Sequence, residues 1–237
     1  MNKKIIAQKY KDNYSASHKQ TIHEYDIPFQ AIKKYIKDYP LKANVLDAGC
    51  GNGRYCKKLS HNGYKNIYAV DFFKSDMNDI NFLLASVDQL PFCDNSFDFI
   101  YSLSVIHYLD DLNKGICELG RVLRPGGTLI LTFFNKHSLY TILRKLKRNI
   151  IKNTKYSLDK LQFLNPEAYE TILRKNGFSI IEVNGYLFPQ YTQLLNYLNN
   201  YGVNTKYAPP IYLSKNPISS HFKSVFGYHA IIVARLK

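Results

Sequence analysis

Hydrophobic residues occur along the chain in short runs separated by amphipathic segments. Five of the runs have the length of a strand, at about 43–48, 66–70, 81–85, 97–102 and 128–134. Short runs that are apolar throughout are typical of strands buried on both faces of a parallel sheet. Residues 27–39 predict a helix with Pro28 in its first turn. Strands that alternate with helices in this way predict an α/β domain.

The first strand leads into a glycine-rich turn. Val45 and Leu46 close the strand, and Gly49, Gly51 and Gly53 follow at every second position. Glycine allows a positive φ and lets a ligand approach the backbone closely, because it has no Cβ. Residues 54–59 then predict the first turns of a helix, whose N-terminal N–H groups are unpaired. Strand, turn and helix together predict a cradle for a small ligand at the carboxyl edge of the sheet.

Length and charge limit the possibilities only in part. The 237 residues suit one α/β domain with additions, and 46% hydrophobic content is enough for a core, so wholesale disorder is excluded. The net charge of +14 has two explanations. It indicates an anionic partner, such as RNA, a nucleotide-linked sugar or a phosphorylated metabolite, or it reflects a general richness in Lys, Asn, Ile and Tyr.

The cysteines and the N-terminus predict the compartment. The four cysteines form no C-x-x-C pair, so the sequence predicts neither a metal site nor a redox motif. Free thiols are typical of a reducing compartment. No apolar segment follows the basic N-terminus, and no apolar run approaches the ~20 residues of a membrane helix. We therefore expect a cytoplasmic protein without a membrane span.

The spacing of the glycine turn is also that of a known family. Asp47-x-Gly49-x-Gly51-x-Gly53 resembles motif I of the class I S-adenosylmethionine-dependent methyltransferases. The resemblance implies that S-adenosylmethionine is the cofactor and that Asp47, Gly49, Cys50 and Gly51 form part of its site.

The second strand ends on an acid about twenty residues beyond the glycines. Asp71 is placed to accept hydrogen bonds from both ribose hydroxyls of the cofactor, and Phe72 is placed to stack on its adenine ring. Capping of a helix is the alternative role for Asp71.

The segment after the third strand departs from the family pattern. Residues 86–92 resemble the family sequence D-A-x-x-L-P-F, whose acid binds the adenine amino group, but here Ser86 aligns with the acid. The Ser86 hydroxyl can still accept a hydrogen bond, and the Val87 N–H can reach the ring. Ser102, at the end of the fourth strand, is also a predicted cofactor residue.

The resemblance covers about residues 43–135, including the helix that ends in Pro125-Gly126-Gly127, and touches 163–167 and 177–178. It implies a Rossmann-like, seven-stranded, mostly parallel sheet sandwiched by helices. Residues 179–183 would be strand six, and 228–234 would be strand seven, antiparallel at the sheet edge.

The remaining segments are additions to this core within one domain, 1–237. Residues 1–40 predict N-terminal helices that act as a lid or simply dock on the core, and Tyr14 is a candidate cofactor residue there. Helical or loop insertions are expected after strand five, at 136–162, and between strands six and seven, at 185–226. Together they are expected to form a substrate cap. The first insertion is basic and the second is rich in tyrosine, although solvated surface would give the same composition.

His107 is the candidate catalytic residue. It follows strand four at the same edge as the glycines. With an ordinary pKa of about 6.5, it suits a general base for an acceptor hydroxyl, or else a hydrogen-bonding wall of the cofactor pocket.

The function expected is methyl transfer to an oxygen or nitrogen atom of a small molecule, for example a sugar or a phosphorylated metabolite. An RNA methyltransferase is the alternative, because residues 51–55 and 104–107 are similar to the tRNA wobble-uridine carboxymethyl methyltransferases. A non-catalytic cofactor-binding subunit is a third hypothesis. The oligomeric state stays open.

Overall fold

The computed structural model describes residues 26–73, 77, 80–136, 164–186 and 229–237. Seven strands in these ranges form one sheet: β1 (Asn44–Ala48), β2 (Asn66–Asp71), β3 (Asn81–Leu84), β4 (Phe97–Leu103), β5 (Leu123–Phe134), β6 (Phe178–Tyr186) and β7 (His229–Leu236). Four α-helices accompany them: α1 (Ile27–Ile36), α2 (Arg54–His61), α3 (Leu112–Val122) and α4 (Pro166–Lys175). A short 3₁₀ helix, Ile106–Tyr108, follows β4.

The strands lie in the order β3-β2-β1-β4-β5-β7-β6. The first five are parallel to one another, and β7 pairs antiparallel with both β5 and β6. The strand order reverses beside β1, where ligands of open α/β sheets bind outside the carboxyl ends of the strands. The architecture confirms the predicted Rossmann-like, mostly parallel seven-stranded sheet.

Neighbouring residues of each central strand contact opposite layers of helices. Val45 packs in the cluster that contains α1 and α2, whereas Leu46 packs in the cluster that contains α3 and α4. Ile130 and Leu131 divide in the same way. Because side chains alternate across a strand, a sheet covered on both faces needs apolar residues at every position. This explains why the core strands are continuous apolar runs rather than alternating ones.

Two details differ from the sequence predictions. Strand seven is not at the edge of the sheet, because β7 lies between β5 and β6 and leaves β6 as the edge strand. The Pro125-Gly126-Gly127 segment is not a separate turn between helix and strand. The chain passes from α3 directly into β5 at Leu123. Residues 124–127 of β5 form an irregularity in the pairing with β4, because Phe97 pairs with Leu123 and Phe99 pairs with Thr128.

The segments predicted as additions lie mostly outside the described residues. This applies to residues 1–25 with Tyr14, to most of the insertion 136–162, and to 187–226 of the second insertion. Their roles in a lid or a substrate cap stay predictions. In the part of the chain that the structure describes, no helix is long and apolar enough to cross a membrane.

Candidate functional site

The glycine turn is held in a conformation that larger residues would strain. Gly49, Gly51 and Gly53 have φ values of 94°, 55° and 69°. The N–H groups of Gly49 and Cys50 both donate to the carbonyl of Val70, at 2.8 and 3.0 Å, so the turn is tied to the end of β2. A Cβ on Gly49 would lie 2.2 Å from Cγ2 of Val105, in the segment after β4. The turn therefore lies against the carboxyl end of β4.

The N-terminus of α2 faces the same edge. Its N-cap is Gly53, in the left-handed region, and Oδ1 of Asn52 accepts a hydrogen bond from the N–H of Arg54, the first helical residue, at 3.3 Å. The positive end of the helix dipole attracts negatively charged or polar ligand groups to a helix N-terminus.

Asp71 connects the glycine turn to the end of β2. Its Oδ2 accepts a hydrogen bond from the N–H of Gly51 at 2.7 Å, and its Oδ1 accepts one from Phe73 at 3.0 Å. Burial raises the pKa of Asp71, while the N–H groups of Gly51 and Phe73 act in the opposite direction. A carboxylate oxygen can accept more than one hydrogen bond, so Asp71 can hold the turn and also meet a ribose. Phe72, beside it, is 39% exposed and accessible to a flat ligand.

Asp47 lies beneath the turn rather than on its surface. It is 2% exposed, and the thiol of Cys56 donates to its Oδ2 at 3.1 Å. Burial raises the pKa of Asp47 to about 7, against hydrogen bonds from Cys56 and Tyr101 that favour the charged form. Burial also raises the pKa values of Cys50 and Cys56 above the ordinary thiol value. Both thiols are therefore protonated near neutral pH, so they are unsuited to nucleophilic catalysis.

The turn after β3 continues the site beyond Asp71. The N–H of Ala85 donates to the carbonyl of Asp71 at 3.0 Å, and the N–H of Gln89 closes the next turn on the carbonyl of Ser86 at 3.0 Å. Ser86 is half-buried, whereas the side chain of Val87 packs in the core. Ser86 and Val87 are the two residues that follow Ala85 in the chain. They therefore lie close to Asp71, where the sequence predicts the adenine.

Ser102 has a different position from the other predicted residues. It is fully buried, and its hydroxyl donates to the carbonyl of Ala48 at 2.7 Å. This bond joins β4 to the last residue of β1, directly before the glycine turn. A cofactor contact by Ser102 stays a prediction.

His107 lies in the 3₁₀ helix at the carboxyl end of β4 and is completely buried. Its ring is 4.3 Å from the ring of Tyr108 and 4.4 Å from that of Phe134, between centroids. Neither ring nitrogen has a hydrogen-bond partner among the described residues. Burial lowers the pKa of His107 well below its usual value, and the nearby His229 adds to this. A buried imidazole whose nitrogens lack partners is costly unless a ligand supplies them.

Two further residues, Ser104 and His229, were not among the predicted site residues. Ser104, directly after β4, has a φ of 59°, and its N–H donates to the carbonyl of Thr132 at 3.0 Å. His229 is the first residue of β7; its ring is 4.4 Å from Phe134, and burial lowers its pKa to about 3. The only sequence signal for His229 was its place at the start of the last apolar run. Non-glycine residues with positive φ often mark functional segments.

These residues fit S-adenosylmethionine. The cradle has glycines where a Cβ would collide with Val105 or Met77, the N-terminus of α2, and a carboxylate at the end of β2. The glycines let the ligand approach the backbone, the helix N-terminus suits the amino-acid part of the ligand, and the carboxylate suits its ribose. Across the described ranges, no group of three or more His, Cys, Asp or Glu residues is placed to hold a metal ion.

Comparison with known proteins agrees with this geometry. Residues 46–131 match the family model of a methyltransferase domain. The malonyl-[acyl-carrier protein] O-methyltransferase of Buchnera aphidicola is 36% identical over 129 residues, which cover 52% of this chain and 51% of that protein. The human mitochondrial ubiquinone biosynthesis O-methyltransferase is 26% identical over 202 residues, covering 77% and 54%. The chain thus spans about half the length of these relatives.

A solved structure shows the same fold over the whole chain. The S-adenosylmethionine-dependent methyltransferase from Thermotoga maritima has a TM-score of 0.67 and 20% identity, with 100% of each chain covered. At this identity the likeness concerns the fold alone. Residues 46–131 thus match a methyltransferase domain, and the strand order and the glycine cradle are those that the resemblance to the class I S-adenosylmethionine-dependent methyltransferases predicts.

Proposed function

We propose that the protein transfers a methyl group from S-adenosylmethionine to an oxygen or nitrogen atom of a small molecule. The observation that carries this proposal is the cradle made by the glycine turn, the N-terminus of α2 and Asp71. Two of the similar proteins are named O-methyltransferases, of malonyl-[acyl-carrier protein] and of ubiquinone biosynthesis, which supports an oxygen acceptor.

Each part of the cradle has a distinct role in the proposed binding. Asp71 accepts hydrogen bonds from the ribose hydroxyls, and Phe72 stacks against the adenine. Ser86 and the N–H of Val87 meet the polar edge of the base. Gly49 and Gly51, with Cys50 between them, let the backbone approach the amino-acid part, and Asp47 supports the turn from below.

The chemistry needs little from the protein beyond positioning. When bound, the cofactor supplies a methyl group on a positively charged sulfur atom. The protein must hold the acceptor atom in line with that methyl group, and such positioning can contribute roughly 7–11 kcal/mol. A base is needed only where the acceptor atom carries a proton.

For His107 the proposal includes one of two roles. Its low pKa keeps it neutral, so one ring nitrogen can accept a hydrogen bond and the other can donate one. A base whose pKa lies far below the working pH removes a proton inefficiently. We therefore favour His107 as a hydrogen-bonding wall that orients its neighbour, with general base catalysis as the second role.

Calorimetry with S-adenosylhomocysteine, the demethylated cofactor, tests the cradle. Because a hydrogen bond to a charged group contributes about 1.5–3 kcal/mol, Asp71→Ala should weaken binding by about tenfold or more. Asp98→Ala is the matched control. Asp98 also accepts a backbone N–H, from Asn44 at 2.8 Å, but at the opposite edge of the sheet. Equal affinity of folded Asp71→Ala and wild-type protein would contradict the proposal.

Substrate class is tested with labelled cofactor. Incubation with a small-metabolite extract should give labelled product, whereas total tRNA should not. The basic insertion 136–162, which would be the contact surface for RNA, lies outside the described residues apart from Lys136. If tRNA is labelled and metabolites are not, the small-molecule proposal is wrong. If the protein binds cofactor and labels neither, the non-catalytic alternative gains support.

The two roles of His107 differ in what a variant retains. As a base, His107→Ala keeps its cofactor affinity and loses about 10²–10⁴-fold in turnover. As a wall, it loses cofactor affinity with a smaller fall in turnover at saturation. Near-normal values of both quantities would leave His107 with neither role.

A further inference from the structure

Arg121, on α3, uses all of its guanidinium donors on Glu118 of the same helix and on residues 90–94. Its Nε donates to Glu118 at 2.8 Å. Its Nη1 donates to the carbonyl of Phe92 at 2.8 Å and to Asp94 at 2.7 Å. Its Nη2 donates to the carbonyl of Leu90 at 3.1 Å and to Glu118 at 3.0 Å. These five contacts match the five N–H groups that an arginine side chain carries.

Glu118 also binds the backbone of Leu90. Its Oε2 accepts the hydrogen bond of the Leu90 N–H at 2.9 Å, while Arg121 binds the Leu90 carbonyl. One ion pair therefore fixes both backbone polar groups of a single loop residue. The side chain of Leu90 is 5% exposed and packs in the core, so the residue is held from three directions.

Leu90 fixes the C-terminal end of the turn that follows β3. The near end of this turn is fixed by the bond from the N–H of Ala85 to the carbonyl of Asp71. The turn then closes on itself from Gln89 to Ser86, and Leu90 follows directly. Because both ends are fixed, the Ser86 hydroxyl and the Val87 N–H have a set position relative to Asp71. Arg121 and Glu118 supply the far attachment without touching Ser86 or Val87 in any described contact.

We propose that Arg121 and Glu118 are positioning residues that hold the Ser86–Val87 turn at the place where the adenine base of the cofactor binds. The inference rests on the proposed function, because the base is that of S-adenosylmethionine. Preorganisation of this kind reduces the ordering cost of binding. It also compensates for Ser86, a weaker hydrogen-bond acceptor than the acid that the family pattern has there, by fixing where the hydroxyl is.

The arrangement requires the shape of arginine and not only its charge. Lysine carries one ammonium point charge and cannot present parallel donors to two carbonyls and two carboxylates at once. Hydrogen bonding from Arg121 lowers the pKa of Glu118, so its carboxylate stays charged throughout the neutral range.

Two ligands that differ only in the base test the proposal. S-adenosylhomocysteine and S-inosylhomocysteine share the ribose and amino-acid parts, but inosine has an oxygen in place of the adenine amino group. Wild-type protein should prefer the adenine ligand. Arg121→Lys should weaken S-adenosylhomocysteine binding by up to about tenfold, the upper effect of one neutral hydrogen bond to the base. The ratio of the two dissociation constants should then approach one.

Arg124→Lys is the matched control. Arg124 lies three residues further along and binds the carbonyl of Asn95 and the carboxylate of Asp98, outside the turn. Its variant should keep both the affinity and the preference. Glu118→Gln is a milder second variant, because the amide keeps only one of the two oxygens that accept hydrogen bonds from Leu90 and Arg121 while preserving the size of the side chain. It should also reduce the preference for the adenine ligand, and it replaces Arg121→Lys as the test if that variant does not fold.

Amide hydrogen exchange without ligand gives an independent readout. Exchange at Val87–Leu90 should rise in Arg121→Lys and stay unchanged in Arg124→Lys. The proposal is overturned if folded Arg121→Lys keeps the wild-type preference, whether its overall affinity falls or not, since that result indicates only a general structural role. If wild-type protein binds neither ligand, the proposed function fails as well; if it binds and Arg121→Lys behaves as wild type, only the positioning role fails.

Discussion

Replacement of Gly49 by alanine separates two costs at the glycine turn. An added Cβ would lie 2.2 Å from Cγ2, 2.7 Å from Cγ1 and 2.9 Å from Cβ of Val105. All three distances are shorter than any normal carbon–carbon contact, and Val105 lies in a segment tied to β5 through Ser104. Gly49 also has a φ of 94°, which alanine adopts only with strain.

The two costs can be estimated one at a time. A left-handed backbone costs a non-glycine residue roughly 1–2 kcal/mol. Forcing an extra carbon into a packed site costs typically about 1–3 kcal/mol. Gly49→Ala should therefore lower the free energy of unfolding by about 2–5 kcal/mol.

Gly63 provides the control for the backbone cost. Its φ is 95°, but a Cβ there would make an ordinary contact of 3.5 Å with Leu41. Gly63→Ala should therefore lose only the backbone part, about 1–2 kcal/mol. Urea unfolding of the two variants measures the difference directly. Adding Val105→Ala to Gly49→Ala removes two of the three short contacts and should recover part of the lost free energy of unfolding. Equal losses for Gly49→Ala and Gly63→Ala would refute the packing argument.

Three further predictions concern buried and exposed polar groups and the core. Burial raises the folded pKa of Asp47 from 3.8 to about 7, so the fold favours the protonated acid. Its contribution to stability is complete below about pH 4 and falls by up to about 4 kcal/mol as the pH rises to 7. Asp47→Asn should flatten the pH dependence of unfolding, and an unchanged slope would contradict this. Phe133→Ala, which removes a buried ring 3.6 Å from that of Tyr169, should cost about 3–5 kcal/mol by urea unfolding, and a loss below 1 kcal/mol would count against the packing. Arg124→Ala breaks a partly exposed ion pair with Asp98 and should lower the free energy of unfolding by less than about 1 kcal/mol in urea. A larger loss would contradict the expectation that solvent screens this pair.

The parts of the fold that the sequence predicts well are those set by local pattern. Buried parallel strands must be apolar on both faces, so β1, β2 and β4 appear as continuous runs. The glycine turn is equally local, because three positive φ values need three glycines at fixed spacing. Asp71 could be placed at the end of β2 for the same reason. Its two bonds to backbone N–H groups of Gly51 and Phe73 could not be foreseen.

Features that depend on distant pairing could not be predicted. The position of β7 between β5 and β6 was predicted wrongly, because an apolar run shows that a strand is buried and not which strands are beside it. His107 was placed correctly at the carboxyl end of β4. Its enclosure beside Phe134 and near His229 follows from the β5–β7 register, which joins residues far apart in sequence. The attachment of Leu90 by Arg121 is likewise a contact across 31 residues.

The insertion of β7 between two earlier strands has a consequence for how the chain reaches its native state. During synthesis β6 leaves the ribosome before β7, yet β7 is the strand that joins it to the rest of the sheet. Strands β1 to β5 can pair as soon as they emerge, whereas β6 has no strand to pair with until β7 is made. Domains that depend on such late, non-local pairing fold slowly and expose strand edges while they do so. The pairing of β7 with β5 and β6 therefore completes the sheet, and until then an edge of β5 and both edges of β6 are unpaired.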